Sequence, residues 1–124
     1  MLSSAPCQTA LPAADLDRAR RFYEGTLGFV PIEVLPGGVR YEAAGGSRLF
    51  VFPSSGRPSG SHTQIGFQVK DIAAEVADLR SRGVEFEKYS MPEFDSNTMI
   101  ATFPGNRSAW FKDTEGNLIG IVQM

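Results

Sequence analysis

The sequence predicts an α+β fold in which a βαβββ module is used twice, at residues 5–53 and 61–124, with a linker at 54–60. Three observations predict it. Two amphipathic stretches each follow a short apolar run, open on an aspartate and stop at a glycine. Each is followed by strand-like runs that turn residues separate. Between the two series, Pro53-Ser54-Ser55-Gly56-Arg57-Pro58-Ser59-Gly60-Ser61 has the composition of a loop.

Residues 8–13 form the first short, mildly apolar strand. Asp15 then stands at a helix N-cap, where a carboxylate accepts an otherwise unpaired backbone N–H. Leu16, Ala19, Phe22, Tyr23 and Leu27 recur at helical spacing, which predicts one helix ended by Gly28. Strands follow at 29–35, 39–44 and 48–52, separated by Pro36-Gly37-Gly38 and Gly45-Gly46. The second series opens with an alternating strand at 63–69. Asp71 caps a helix striped by Ile72, Val76 and Leu79, and Gly83 ends it. Further strands are predicted at 84–89, 99–103, 107–112 and 118–122, the last two joined by the turn Thr114-Glu115-Gly116-Asn117. Strand, cap, stop and closing hairpin recur in one order, which implies a tandem duplication with an insertion near 91–98 in the second copy.

Composition narrows the function classes. A 42% hydrophobic and 21% charged chain of 124 residues can build a core and is not of the disordered class. Twelve basic residues are scattered among fourteen acidic ones, with no like-charge block beyond Arg18, Arg20 and Arg21 on the first helix. Nucleic-acid binding needs a basic face, so it is not expected. The single cysteine, Cys7, excludes an internal disulfide and fits a reducing compartment. No apolar run approaches the roughly 20 residues of a bilayer span, and the first residues lack the regions of a secretion signal. A cytoplasmic protein with neither nucleic acid nor membrane as partner is expected, and residues 1–4 are expected to be a disordered lead.

The stretch Asp15-Leu16-Asp17-Arg18-Ala19-Arg20-Arg21-Phe22-Tyr23-Glu24-Gly25-Thr26-Leu27-Gly28-Phe29 resembles the D-L-x-x-A-x-x-F-Y-x-x-x-L-G-F signature of the glyoxalase, bleomycin-resistance and extradiol-dioxygenase superfamily, the vicinal oxygen chelate proteins. Trp110-Phe111-Lys112-Asp113-Thr114-Glu115-Gly116-Asn117-Leu118-Ile119 is similar to that family's F-x-D-P-x-G-N closing hairpin, with Thr114 in place of proline. The resemblance spans essentially the whole chain. Physically these motifs are structural: Phe22, Tyr23 and Leu27 read as core, Asp15 and Asp71 as caps, and Gly116-Asn117 as a turn. The resemblance implies a homodimer.

It also implies a curved mixed sheet around an open cleft, where metal-dependent members hold a divalent ion with His, Gln or Glu from the first and last strand of each module. Carried over by position, the first-strand ligands fall at Gln8 and Gln64, seven residues before the capping aspartates. The last-strand ligands fall at Phe50 and at Gly120, three residues after Asn117. Two of the four positions have no donor atom, and two neutral amides are poor compensation for dehydrating a divalent ion. A shift of register rescues no ligand set and turns the strands inside out. His62, the sole histidine, reads as a loop residue. No metal and no cofactor are predicted.

Strand alternation sorts what remains. With Leu11, Ala13, Leu49, Val51, Ile65, Phe67, Val69, Ile119 and Ile121 facing the helices, the other faces carry Gln8, Ala10, Phe50, Phe52, Gln64, Gly66, Gln68, Leu118, Gly120 and Val122, with Trp110 and Lys112 beside them. Aromatic walls with a few amides are the makeup of a small-molecule pocket, so Gln8, Phe50, Phe52, Gln64, Gln68, Trp110 and Gly120 are the candidate ligand contacts. The same aromatics could instead pack a dimer seam or a closed core. Cys7 lacks a histidine nearby in sequence and reads as a buried or terminal thiol, while Glu85, Glu87, Glu93 and Asp95 read as a wet strand edge and loop. Two functions remain open: a metal-free binder of a small apolar or aromatic molecule, or a lyase, isomerase or dioxygenase of the superfamily with a divergent or absent metal site. A plain dimeric interaction domain is the third.

Overall fold

Both predicted helix caps form. The Asp15 carboxylate accepts the N–H of Arg18 at 3.0 Å, and that of Asp71 accepts the N–H of Ala74 at 3.1 Å. Gly28 and Gly83 end the two helical segments with φ of 82° and 91°, where a side chain would be strained. These signals sit in a computed structural model that describes residues 1–124 as two compact units, Met1–Arg57 and Pro58–Met124.

Unit one contains β1 (Thr9–Ala13), α1 (Leu16–Arg20) running on into a π-helical turn (Arg21–Thr26), β2 (Pro31–Leu35), β3 (Gly38–Glu42) and β4 (Arg48–Pro53). Its sheet has the order β1-β4-β3-β2, with β1 parallel to β4 and the other pairs antiparallel. Unit two contains β5 (Ile65–Gln68), α2 (Ile72–Ser81), β6 (Phe94–Asp95), β7 (Ile100–Phe103), β8 (Asn106–Lys112) and β9 (Leu118–Gln123). Its order is β5-β9-β8-β7-β6, with β5 parallel to β9. In each sheet the first strand pairs in parallel with the last, the helical crossover leads from the first strand to the far edge, and the rest run back as a meander, so the βαβββ order appears twice with β6 added. The class is α+β, as two mixed sheets rather than one.

The helices pack on one face of each sheet. In unit one that face buries Leu11, Ala13, Val39, Tyr41, Leu49 and Val51 against Ala19 and Tyr23, and Tyr23 stacks on Tyr41 at 5.8 Å between ring centroids. In unit two Ile72 and Val76 of α2 are buried with Ala109, Phe111, Ile119 and Ile121. Removing this apolar area from water at about 25 cal/mol per Å² is what fixes strand register, because a one-residue slip exposes the whole set.

Several elements differ from the sequence expectation. The first helix keeps α-helical pairing only to Arg20, then widens, with the Leu27 N–H bonded to the Phe22 carbonyl. Gly25, a weak helix former, lies in that wider turn. The strand expected at 84–89 is reduced to one bridge, Phe86 to Phe111, plus the bond from the Glu87 N–H to the Trp110 carbonyl at 2.8 Å. β7 takes the same edge of β8 over residues 106–108, so this pairing cannot continue beyond Lys88. The insertion contributes β6, whose Phe94 pairs with Ala101. β2 begins only at Pro31, since the Phe29 N–H turns back to the Tyr23 carbonyl. Gly38 belongs to β3 rather than to the turn before it. Residues Leu2–Ser4 form an exposed 3-10 turn in place of a disordered lead. No helix is long and apolar enough to cross a membrane.

Candidate functional site

Register decides which side chains share the face opposite the helix, the distal face. In unit one Ala10 pairs with Phe50 and Pro12 with Phe52, while Arg40 pairs with Phe50 across the next ladder. Gln8, Arg40, Phe50 and Phe52 therefore lie together there. The Phe50 and Phe52 rings run nearly parallel, 6.1 Å apart with 11° between planes. The Arg40 guanidinium lies 5.6 Å from the Phe50 centroid, a cation–π contact. Its Nε donates to Gln8 Oε1 at 3.0 Å and its Nη1 to Glu33. A Cβ on Gly38 would stand 2.8 Å from Phe50 Cζ, so the Phe50 ring reaches across β3 only because residue 38 has no side chain.

In unit two Gly66 pairs with Gly120, which pairs in turn with Trp110. Gln68 and Val122 continue the same row. The Trp110 indole lies beside Gly120: a Cβ at residue 120 would be 3.4 Å from Cδ1 and Nε1, and 3.1 Å from Thr63 Cγ2. Trp110 Nε1 donates to Thr63 Oγ1 at 3.1 Å, which locks the ring. Tyr89 packs edge-on against Trp110 at 5.2 Å, and Phe94 edge-on against Tyr89 at 6.0 Å. Burial first, and the charge of Glu87 second, push the Tyr89 hydroxyl above its ordinary value. Gln64 is part-buried, with its side-chain oxygen out of contact with water and without a partner, whereas Gln68 is exposed. Lys112 reaches Glu87 at 3.3 Å.

The structure thus brings Gln8, Phe50 and Phe52 onto one face and Gln64, Gln68, Trp110 and Gly120 onto another. Sequence reasoning missed Arg40, Glu33, Thr63, Tyr89 and Phe94. Cys7, read as buried or terminal, is exposed, and His62 is exposed with Nδ1 3.1 Å from Ser59 Oγ. On the helix side of unit one, Glu24 accepts from Arg20 Nε and from the Tyr41 hydroxyl, both at 2.8 Å. The Arg20 hydrogen bond, more than that of Tyr41, holds the Glu24 carboxyl below its ordinary range against the opposing effect of burial. Burial first, then Glu24, drives the Tyr41 hydroxyl well above its usual value.

Comparison with known proteins bears on this arrangement. The family model for the Glyoxalase/Bleomycin resistance protein/Dioxygenase superfamily matches residues 7–121. The chain belongs to that superfamily. Curated protein sequences give no significant match. Among solved structures, the chain is 25% identical to TnmS3, an antibiotic binding protein from Streptomyces sp. CB03234, over 97% of each chain with a TM-score of 0.72. It is 26% identical to a glyoxalase/bleomycin resistance protein from the same Streptomyces, over 90% of this chain and 94% of that one, with a TM-score of 0.66. It is 25% identical to lactoylglutathione lyase from Agrobacterium tumefaciens, over 97% and 93% of the two chains, with a TM-score of 0.64.

Of the four positions that the resemblance assigns to metal ligands, only Gln64 keeps an unpartnered donor oxygen, and one neutral amide does not hold a divalent ion. Gln8 already accepts a hydrogen bond from Arg40, a cation where a second cation would have to sit. Phe50 offers a ring. Gly120 offers nothing, and a glutamate grafted there would run into Trp110 and Thr63. Nowhere do three His, Cys, Asp or Glu side chains gather into a metal-binding group.

Proposed function

We propose that this superfamily member binds a small aromatic or apolar molecule without a metal, the candidate contacts being Gln8, Phe50 and Phe52 with Arg40 on the distal face of unit one, and Gln64, Gln68, Trp110 and Gly120 on the distal face of unit two. One observation carries the reading. Both last-strand positions that a metal would need lie under aromatic rings, the ring of Phe50 itself in unit one and that of Trp110 over Gly120 in unit two. Half-buried rings ringed by amides and one guanidinium suit stacking with a few orienting hydrogen bonds. The antibiotic-binding description of TnmS3 is consistent with such a ligand. A homodimer is part of the proposal, and the exposed Ile32 and Val34 on β2, with Val30 just before it, are an apolar surface for it, to be tested by light scattering.

Thermal denaturation against a panel of planar aromatic drugs, neutral and cationic, tests the reading. A ligand at one hundred times its Kd stabilises the native state by about 2.7 kcal/mol, on the order of 10 °C in a domain of this size. At least one compound is expected to shift Tm in this way, and a flat response across the panel contradicts the reading. The likeness to the Agrobacterium lyase supports the alternative of a superfamily enzyme with a divergent or absent metal site. The version with a divergent site requires a stoichiometric metal by elemental analysis after addition of Mn, Fe, Ni and Zn.

A further inference from the structure

The insertion that lengthens the second module has no counterpart in the first. Four residues, 27–30, lie between the π-helical turn and β2 in unit one, whereas residues 82–99 lie between α2 and β7 in unit two. Evolutionary padding would leave such a segment loosely attached, yet this one is fixed at several points. The Thr102 N–H donates to the Glu93 carbonyl at 3.0 Å, and the Met99 N–H to the Asp95 carbonyl at 2.7 Å. Asp95 Oδ1 accepts the Asn97 N–H at 2.8 Å, and Arg80 on α2 holds the Asn97 carbonyl at 3.1 Å. Met99, at φ 63°, is the one non-glycine residue with positive φ, and its side chain is buried. A bulky residue keeps that conformation only where its surroundings over-determine it.

The fixed segment presents two rings to the distal face. Tyr89 stands at 81° to the Trp110 indole, and Phe94 at 85° to Tyr89. Indole and phenol thus form a right-angled aromatic corner, with Phe94 bracing the phenol. We propose that Tyr89, braced by Phe94, is the wall that limits how far an aromatic ligand stacked on Trp110 can extend, and so sets ligand size. This rests on the binding reading above. A flat ring system lying on the indole gains area with each fused ring until its edge meets the phenol plane, and beyond that point a further ring clashes.

Trp110 is the only tryptophan in the chain, so its emission reports the corner directly. The test is the quenching of that emission by 2-naphthol and by 1-hydroxypyrene, giving Kd for a two-ring and a four-ring probe. Wild-type protein is expected to discriminate against the larger probe relative to Tyr89→Ala and Phe94→Ala. Each variant is expected to shift the ratio of the two Kd values by tenfold or more toward 1-hydroxypyrene, and Tyr89→Phe to keep the wild-type ratio. Near-ultraviolet circular dichroism establishes that each variant is folded, and Phe94→Leu replaces Phe94→Ala should the smaller side chain unfold the insertion. Folded variants that bind both probes with an unchanged ratio overturn the wall alone. Absence of quenching by either probe in wild type overturns the binding reading and the wall with it.

Discussion

On the distal face of unit one the last strand carries the bulk, with Phe50 and Phe52 side by side and the neighbouring strand supplying Arg40 to cover Phe50. On the distal face of unit two the last strand carries none at the matching position, and the neighbouring strand supplies the ring, Trp110 laid beside Gly120. Residues 50 and 120 occupy the same place in the repeated module, each beside the first strand and opposite a residue of the penultimate one. The two halves therefore exchange which strand is large and which is small, and both end with an aromatic surface where metal-dependent members need a donor. Covering is the shared outcome; the strand that provides it is not.

The glycines that make room for these rings break the comparison most sharply. A Cβ at Gly38 would lie 2.5 Å from the Val51 carbonyl oxygen and 2.8 Å from Phe50 Cζ, at a φ of 149°. The first obstacle is backbone and cannot rotate away. Gly38→Ala is expected to cost about 3 kcal/mol or more in chemical denaturation. A Cβ at Gly120 meets only side chains, at 3.1 Å and beyond, and Thr63 and Trp110 can yield slightly. Gly120→Ala is expected to cost about 1 kcal/mol and to shift the Trp110 emission maximum. Equal losses at the two sites would mean that the faces are not built as described.

The helix sides differ as well, and by less. Only unit one carries the Arg20–Glu24–Tyr41 network, with Arg20 and Glu24 side chains 33% and 28% exposed. Because the folded state holds the Glu24 carboxyl below its ordinary value near 4.5, it binds a proton less readily than the unfolded chain. The stability this confers is complete above that ordinary value and is lost as pH falls through the depressed one. With solvent screening, the contribution is no more than about 1 kcal/mol. Thermal melts between pH 6 and pH 3, taken as roughly the span of carboxylate titration, are expected to fall less steeply for Glu24→Gln than for wild type. Parallel curves would remove Glu24 from the account.

Much of the fold was legible because it rests on local signals. Asp15 and Asp71 cap through bonds to residues three positions on, and Gly28 and Gly83 stop through their own φ. Alternation placed Phe50, Phe52, Gln64 and Gly120 on the distal faces because burial of Leu49, Val51, Ile119 and Ile121 leaves one register available. What escaped depends on distant partners. The widened turn at Arg21–Thr26 sits over Tyr41, and of the strand expected at 84–89 only the bridge from Phe86 to Phe111 forms. Arg40 reaches Gln8 across 32 positions of sequence and Trp110 reaches Thr63 across 47. Neither pairing leaves a periodic trace. Tyr89 ends the run read as a strand at 84–89, and Phe94 lies in the insertion, where no repeat was available to compare.

The most direct test of the central claim is one titration of Trp110 emission in the wild-type protein, run in parallel with planar aromatic compounds and with Mn, Fe, Ni and Zn ions. Saturable quenching by an aromatic compound, with the emission indifferent to all four metals, is the predicted result. A saturable change with a metal and none with any aromatic compound would contradict the claim that aromatic surface has replaced the metal positions.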